Sequence, residues 1–221
     1  DSGRMHIPEA VMNLYSQKNG MILVTGPAGS GKTTTLACLI DRINQKRSGH
    51  IITIEDPIEY IHSHQKCLVS QRELDLDTES YKTALRAALR QTPDVILLGE
   101  MRDFETIQTA LTAAETGQLL LSTLHTVGAA KTIDRIVDVF PASQQAQVRV
   151  QLSMVLRAVV SQRLLPAVNG GLEPVFEIMI VNPAIQNMIR EGKIHQMDNV
   201  IYSGGDAGMR TMDSDILRLY K

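Results

Sequence analysis

The stretch Gly26-Pro27-Ala28-Gly29-Ser30-Gly31-Lys32-Thr33 constrains this chain more than any other. It meets the spacing G-x-x-x-x-G-K-[ST] at every fixed position, a pattern that carries meaning when it joins a buried strand to the start of a helix. The flanks supply both. Met21-Ile22-Leu23-Val24-Thr25 is a short apolar run of the kind that fills the middle of a parallel sheet. After the loop, Leu36, Leu39, Ile40 and Ile43 recur at helical spacing and define one face. Backbone N–H groups of such a loop, with the positive end of a helix dipole behind them, surround phosphates. Lys32 is then placed to reach a β- or γ-phosphate and the Thr33 hydroxyl to bind Mg²⁺, with Thr34 following in the same turn. A nucleotide is the ligand these residues imply.

Composition narrows the class. At 221 residues with 43% hydrophobic content, the chain can bury a full core as a globular protein. No apolar run approaches the roughly 20 residues of a membrane span, and residues 1–8 lack the charged-then-apolar pattern of a signal peptide. The net charge of −2 gives no strong non-specific attraction to nucleic acid or anionic lipid. Aromatic content of 4% and the absence of tryptophan argue against a base-stacking platform. Cys38 and Cys67 are too few for a four-cysteine zinc site; both read as small buried hydrophobes of a cytosolic protein.

In chain order, residues 7–18 read as a helix, followed by the strand, loop and helix described above, the helix reaching about residue 47. His50-Ile51-Ile52-Thr53-Ile54 is a second strand, ended by Glu55-Asp56-Pro57, and residues 58–65 are polar loop. Cys67-Leu68-Val69-Ser70 reads as a short strand. A helix over residues 78–90 has Tyr81, Leu85 and Leu89 on one face and Glu79 in its first turn. Asp94-Val95-Ile96-Leu97-Leu98 is a third main strand, Asp103 can cap a helix with inner face Phe104, Ile107, Leu111 and Ala114, and residues 119–124 form a fourth. Helices are expected over 129–139 and 143–164, the second with a stripe of Val148, Leu152, Val155 and Val159. Asn169-Gly170-Gly171, between residues 164–168 and 173–181, signals a hairpin. A short helix capped by Asn182 with Pro183 at its start and Gly192 past its end, a glycine-rich loop over 203–208 and a final helix from about Asp213 complete the chain. Strands alternating with helices imply an α/β core with a mainly parallel sheet over residues 1–181 and a small helical subdomain over 182–221.

Four strands then end in chemistry. One opens into the phosphate loop, one ends at Glu55-Asp56 with Glu59 just beyond, one ends at Glu100, and one leads into His125. Parallel strands present their carboxyl ends along one edge, where ligands bind. Glu100 there can orient or deprotonate a water attacking a γ-phosphate. Glu59 or Asp56 can hold the water shell of Mg²⁺, or belong to a solvated turn after Pro57. His125 can sense the γ-phosphate or be structural. His62-Ser63-His64 has no evident third metal ligand and reads as polar loop.

These residues also carry a family resemblance. Ile54-Glu55-Asp56-Pro57-Ile58-Glu59 resembles the Asp box of secretion-superfamily ATPases, Gly99-Glu100-Met101-Arg102-Asp103 their Walker B end, and Thr123-Leu124-His125-Thr126 their His box. Gln71-Arg72-Glu73, residues 111–117 (LTAAETG) and residues 129–135 (AAKTIDR) are similar to the PilT branch, the type IV pilus retraction motors of twitching motility. Ala184-Ile185-Gln186-Asn187-Met188-Ile189 stands in the place of the branch's retraction helix. The resemblance implies a RecA-like P-loop ATPase core using ATP and Mg²⁺, with Glu100 as catalytic carboxylate, Glu59 as the Asp-box acid near Mg²⁺ and His125 as the His-box residue. It implies a homohexameric ring at the cytoplasmic side of the inner membrane, acting on a membrane platform protein so that pilin leaves the fibre.

The chain departs from the family at three points. Gln118 stands where many relatives have histidine, Gln186 replaces an arginine of the retraction helix, and the usual N-terminal PAS-like domain, a source of arginine fingers and ring contacts, is not within these residues. Arg72, Arg102 and Arg135 are the candidates for charge neutralisation. Alternatives are a pilus-assembly or type II secretion motor, many of which carry a four-cysteine zinc element, a nucleic-acid motor, and a small-molecule phosphotransferase.

Overall fold

The structure, a computed structural model, describes residues 5–168 and 170–220. Its centre is a seven-stranded sheet in the order β3-β2-β4-β5-β1-β6-β7. In chain order the strands are β1 (Gly20–Thr25), β2 (Gly49–Glu55), β3 (Cys67–Glu73), β4 (Val95–Leu98), β5 (Leu119–Leu124), β6 (Leu156–Pro166) and β7 (Leu172–Ile180). All neighbours pair in parallel except β6 and β7, which form an antiparallel hairpin. This is the mainly parallel α/β architecture expected from the alternation of strands and helices, and the RecA-like core that the resemblance implies.

The strand sequences explain why the sheet is covered on both faces. Met21 and Leu23 of β1 join one apolar core, Ile22 and Val24 the other, and none of the four has exposed surface. The second core is closed by α1 (Glu9–Met12) and α2 (Lys32–Lys46). The first is closed by α3 (Tyr81–Leu89), α4 (Phe104–Glu115), α5 (Ala129–Asp138) and α6 (Ala142–Val155), with α7 (Pro183–Glu191) and α8 (Met197–Ser203) beyond. Helix α9 (Met212–Tyr220) is tied to β7 by buried Asp215, which accepts from the Phe176 amide at 2.9 Å and pairs with Arg210 and Arg218 at 2.7 and 2.9 Å.

Several local expectations hold in detail. Asp103 caps α4 by accepting from the Thr106 amide, and Asn182 caps α7 by accepting from the Ile185 amide. Pro183 opens α7 and Gly192 closes it at φ +72°.

Others do not. The stripe of Val148, Leu152, Val155 and Val159 is buried as expected, yet the helix ends at Val155 and Val159 lies in β6. Ala158, Val159 and Val160 are all fully buried, which three consecutive residues of a one-sided helix cannot be; they sit in a strand covered on both faces. The hairpin therefore has a far longer first arm than expected, and Asn169 of its turn signal lies outside the described residues. The helix expected over 7–18 is one α-turn followed by a 3₁₀ segment, Asn13–Ser16. There the Ser16 hydroxyl donates locally to Asn13 O, and Arg47 donates from afar to the carbonyls of Tyr15 and Gln17, so side-chain bonds replace helical ones. Glu79 precedes the cap Ser80 and so lies outside the first turn of α3. Helix α8, where Met197 and Ile201 are buried one turn apart, is an addition to the expected elements, and the glycine-rich loop contains a 3₁₀ turn at Gly205–Ala207. Cys67 is buried, but Cys38 is only half-buried.

Candidate functional site

The carboxyl ends of β1, β2, β4 and β5 surround one cleft of about 270 Å³. On its first side lies the phosphate loop. Gly26 and Gly31 have φ of +146° and +85°, the region open to glycine. A Cβ on Gly26 would also come within 2.2 Å of Gln162 O, and one on Gly31 within 2.8 Å of Gln162 Nε2. Gln162 of β6 is itself buried and its Oε1 accepts from Thr35 of α2 at 2.7 Å. The loop is thus braced from behind by a residue that its own sequence does not contain.

Ala28, Gly29, Lys32 and Thr33 line the cleft. The Lys32 ammonium donates to Gly26 O and Pro27 O, each at 2.9 Å, and forms no ion pair among the described residues. Burial lowers its pKa, opposed by the charge of Glu100. Ser30 is buried with its hydroxyl unpartnered. Thr34 turns away from the cleft and shares a 2.9 Å hydrogen bond with the Tyr60 hydroxyl.

The opposite side is built from separate strands. Gly99, just past β4, donates its N–H to Ile54 O at 2.8 Å and accepts from the Thr123 hydroxyl at 2.7 Å, so β2 and β5 clamp it. Glu100 follows at once and is held near its place by this clamp. Its two oxygens have different partners: Oε1 pairs with Arg102 at 2.7 Å and Oε2 with His125 Nε2 at 3.3 Å. The Glu100 side chain is 14% exposed, against 72% for Arg102 and 52% for His125, so the carboxylate is the sheltered member of the trio. Proximity to Glu100 holds the Arg102 pKa up.

Glu59 and Asp56 line the mouth of the cleft, both exposed. Glu55 differs from them. It is buried, accepts from Thr53 Oγ1 at 2.6 Å and Gln71 Nε2 at 3.3 Å, and its pKa is raised, chiefly by burial. Tyr81, read from sequence as part of a helix face, also lines the cleft; burial, then the charges of Glu100 and Asp56, push its pKa up. His64 Nδ1 accepts from the Val69 amide, and among the described residues no group of three or more His, Cys, Asp or Glu side chains could hold a metal ion. Of the three candidate arginines, Arg102 contacts Glu100 and Arg135 lines a neighbouring cavity with His125, while Arg72 lies on β3 outside the cleft. Gln118 accepts from the Thr116 hydroxyl, away from the site.

Nothing local in the sequence points to Gln162. Its only signal is a glutamine between the apolar runs 158–160 and 164–165, a polar residue that a buried strand must satisfy.

With this geometry established, known proteins provide the comparison. The family described as type II/IV secretion system protein matches residues 6–213. The type IV pilus retraction ATPase PilT of Pseudomonas aeruginosa is 58% identical over 194 residues, 88% of this chain and 56% of that protein. A twitching motility protein of Neisseria gonorrhoeae is 54% identical over 215 residues, 97% of this chain and 58% of that protein. A crystal structure of the pilus retraction motor PilT with bound ADP superposes with a TM-score of 0.94 at 52% identity, covering 100% of this chain and 62% of that one. The chain therefore spans less than two thirds of the length of these relatives.

Proposed function

The chain belongs to the type II/IV secretion system protein family, and from that premise we propose that it is the ATP-hydrolysing region of a type IV pilus retraction motor. One observation carries this reading: a sheltered carboxylate, Glu100, held by Arg102 and His125, faces the Lys32 loop across a single cleft.

The residues present fit a nucleotide and Mg²⁺. Among the described residues Lys32 is a buried cation satisfied only by carbonyls, and an anion in the cleft would restore the charge that burial disfavours. ATP would lie along residues 26–33, with Lys32 on its terminal phosphates and Thr34, turned toward Tyr60, outside the cleft. Thr33, with Glu59 through water, would hold Mg²⁺, an ion that usually takes one or two protein oxygens beside substrate phosphates. When bound, Mg²⁺ supplies charge neutralisation to the phosphates. Glu100 orients the attacking water and accepts its proton. His125 and Arg102 fix the carboxylate and stand where negative charge develops.

The ADP-containing relative supports the choice of nucleotide. The resemblance to retraction motors supports a homohexameric ring acting on an inner-membrane platform protein from the cytoplasmic side. Among the described residues no helix is long and apolar enough to cross a membrane. Residues 1–181 form the core in this reading, and residues 182–221 a helical subdomain. On α7, Ile185 and Ile189 are buried while Asn187 and Arg190 are exposed, so the outer face is free to couple the motor to a partner.

Retraction and assembly are separated by one experiment in cells. With Lys32→Ala, a retraction motor leaves fibres on the surface and abolishes twitching. An assembly or secretion motor leaves no fibres, and that result would overturn the reading. A nucleic-acid motor would instead show DNA-stimulated hydrolysis, and a phosphotransferase a phosphorylated acceptor.

A further inference from the structure

Between β2 and β3 the chain passes through residues 56–66 without regular structure, and Glu59 rides on this segment at the mouth of the cleft. Such a segment must find partners for its backbone groups elsewhere. Three side chains provide them. From α2, Asn44 Nδ2 donates to Ser63 O at 2.7 Å, and its Oδ1 accepts from the Gln65 and Cys67 amides at 3.2 Å. From β3, Glu73 Oε2 accepts from the Ile58 amide at 2.9 Å. Gln71, also on β3, holds the part nearest Glu59. Its Oε1 accepts from the His62 amide at 2.8 Å, and its Nε2 donates to Tyr60 O at 2.9 Å and to buried Glu55 Oε1 at 3.3 Å.

The Gln71 carboxamide thus does what a neighbouring strand would do, offering one acceptor and one donor to the loop. The register explains how it gets there. Gln71 lies opposite Thr53 and Glu73 opposite Glu55, so both leave the sheet on the face of Ile51, where α2 packs. The loop is strapped between β3 on one side and α2 on the other.

We propose that Gln71 is a positioning residue: by pinning Tyr60 and His62 it sets the place of Glu59, and so of the carboxylate that helps hold Mg²⁺. This rests on the role given to Glu59 under the proposed function. Among the described residues the Gln71 side chain makes no hydrogen bond to residues 26–33 and reaches that side only through Tyr60, whose hydroxyl meets Thr34, so its main effect falls on the metal side of the site. The Gln71-Arg72-Glu73 motif marks the resemblance and lies on β3 outside the phosphate loop. Its place in the molecule is mechanical, since two of its three residues fasten the acidic loop.

The test uses the complete protein and two variants. Gln71→Leu keeps the volume and loses every hydrogen bond. Gln71→Glu keeps the acceptor for the His62 amide, loses the donor to Tyr60 O and sets a second carboxylate beside Glu55. In nucleotide-free protein, amide hydrogen exchange over residues 58–62 should rise roughly tenfold in Gln71→Leu, as expected for the loss of two hydrogen bonds. Exchange in β1 and β4 should not change. The Mg²⁺ concentration for half-maximal ATP hydrolysis should rise severalfold in both variants, while nucleotide affinity in excess chelator stays the same. Unchanged exchange overturns the positioning role. Faster exchange with unchanged Mg²⁺ dependence overturns the link to Glu59, provided that Glu59→Gln itself shifts that dependence. If Glu59→Gln does not shift it, the role given to Glu59 falls instead. Should Gln71→Leu lose protection throughout the sheet, the same readings on Gln71→Glu decide.

Discussion

The two sides of the cleft are built on different principles. The phosphate loop is made of backbone: consecutive residues, three glycines at positive φ and one lysine folded back onto its own carbonyls. The facing side is made of side chains that follow three strand ends, Glu59, Glu100 and His125, brought together by the order of the sheet. The first side can bind an anion without the second, because its donors and its cation are local. The second side can do chemistry only when β2, β4 and β5 are in register, because Gly99 is clamped by Ile54 and Thr123 before Glu100 can be placed. Binding and turnover should therefore separate under mutation.

The largest effect falls on the loop. In the proposed reading Lys32→Ala removes a cation aimed at the terminal phosphates, and ATP affinity should fall by a factor on the order of 10² or more with the fold intact. Calorimetric titration checks this, and unchanged affinity would break the distinction between the two sides. A smaller effect is expected across the cleft. Arg102→Ala frees Glu100 Oε1 from its ion pair, and kcat should fall about tenfold with KM for ATP little changed. A rise in KM instead would make Arg102 a binding residue.

The smallest effect sharpens the comparison by testing a buried acid on the second side to which the proposed function gives no role. Glu55 is buried and its pKa is raised by burial. A raised carboxyl means the folded state holds the proton more tightly than the unfolded state. Stability is then lost as pH rises from the ordinary value of 4.5 through the raised value. Glu55→Gln should remove this dependence, giving a Tm gain of about a few degrees at neutral pH that vanishes below the ordinary carboxyl range. A melting series against pH measures it, and a gain that persists at low pH would point to packing rather than charge.

The same division between local and assembled structure explains what was legible in the sequence. The loop, the capped helix α7 and the apolar strands carry their instructions within a few residues, as Asn182, Pro183 and Gly192 do for α7. The boundary of α6 does not. The spacing of 148, 152, 155 and 159 fits a helix, and only the burial of Ala158 and Val160 with Val159 reveals a strand. In the site, Glu100 and His125 could be placed on one sheet edge, but their contact and the pairing with Arg102 depend on strand order, which no short stretch encodes. Gln162 and Gln71 were beyond reach for a related reason: each acts on a segment brought to it by the fold rather than by its immediate neighbours in the chain.

In the proposed function Glu100 performs the hydrolytic step on a nucleotide held by the other side of the cleft. Paired measurement of ATP affinity and ATP turnover in Glu100→Gln tests it most directly, since the amide keeps the shape and loses the basic oxygen. Affinity should stay within about threefold of the parent while turnover falls by a factor on the order of 10² or more. Near-normal turnover, or affinity that falls in step with turnover, would contradict it.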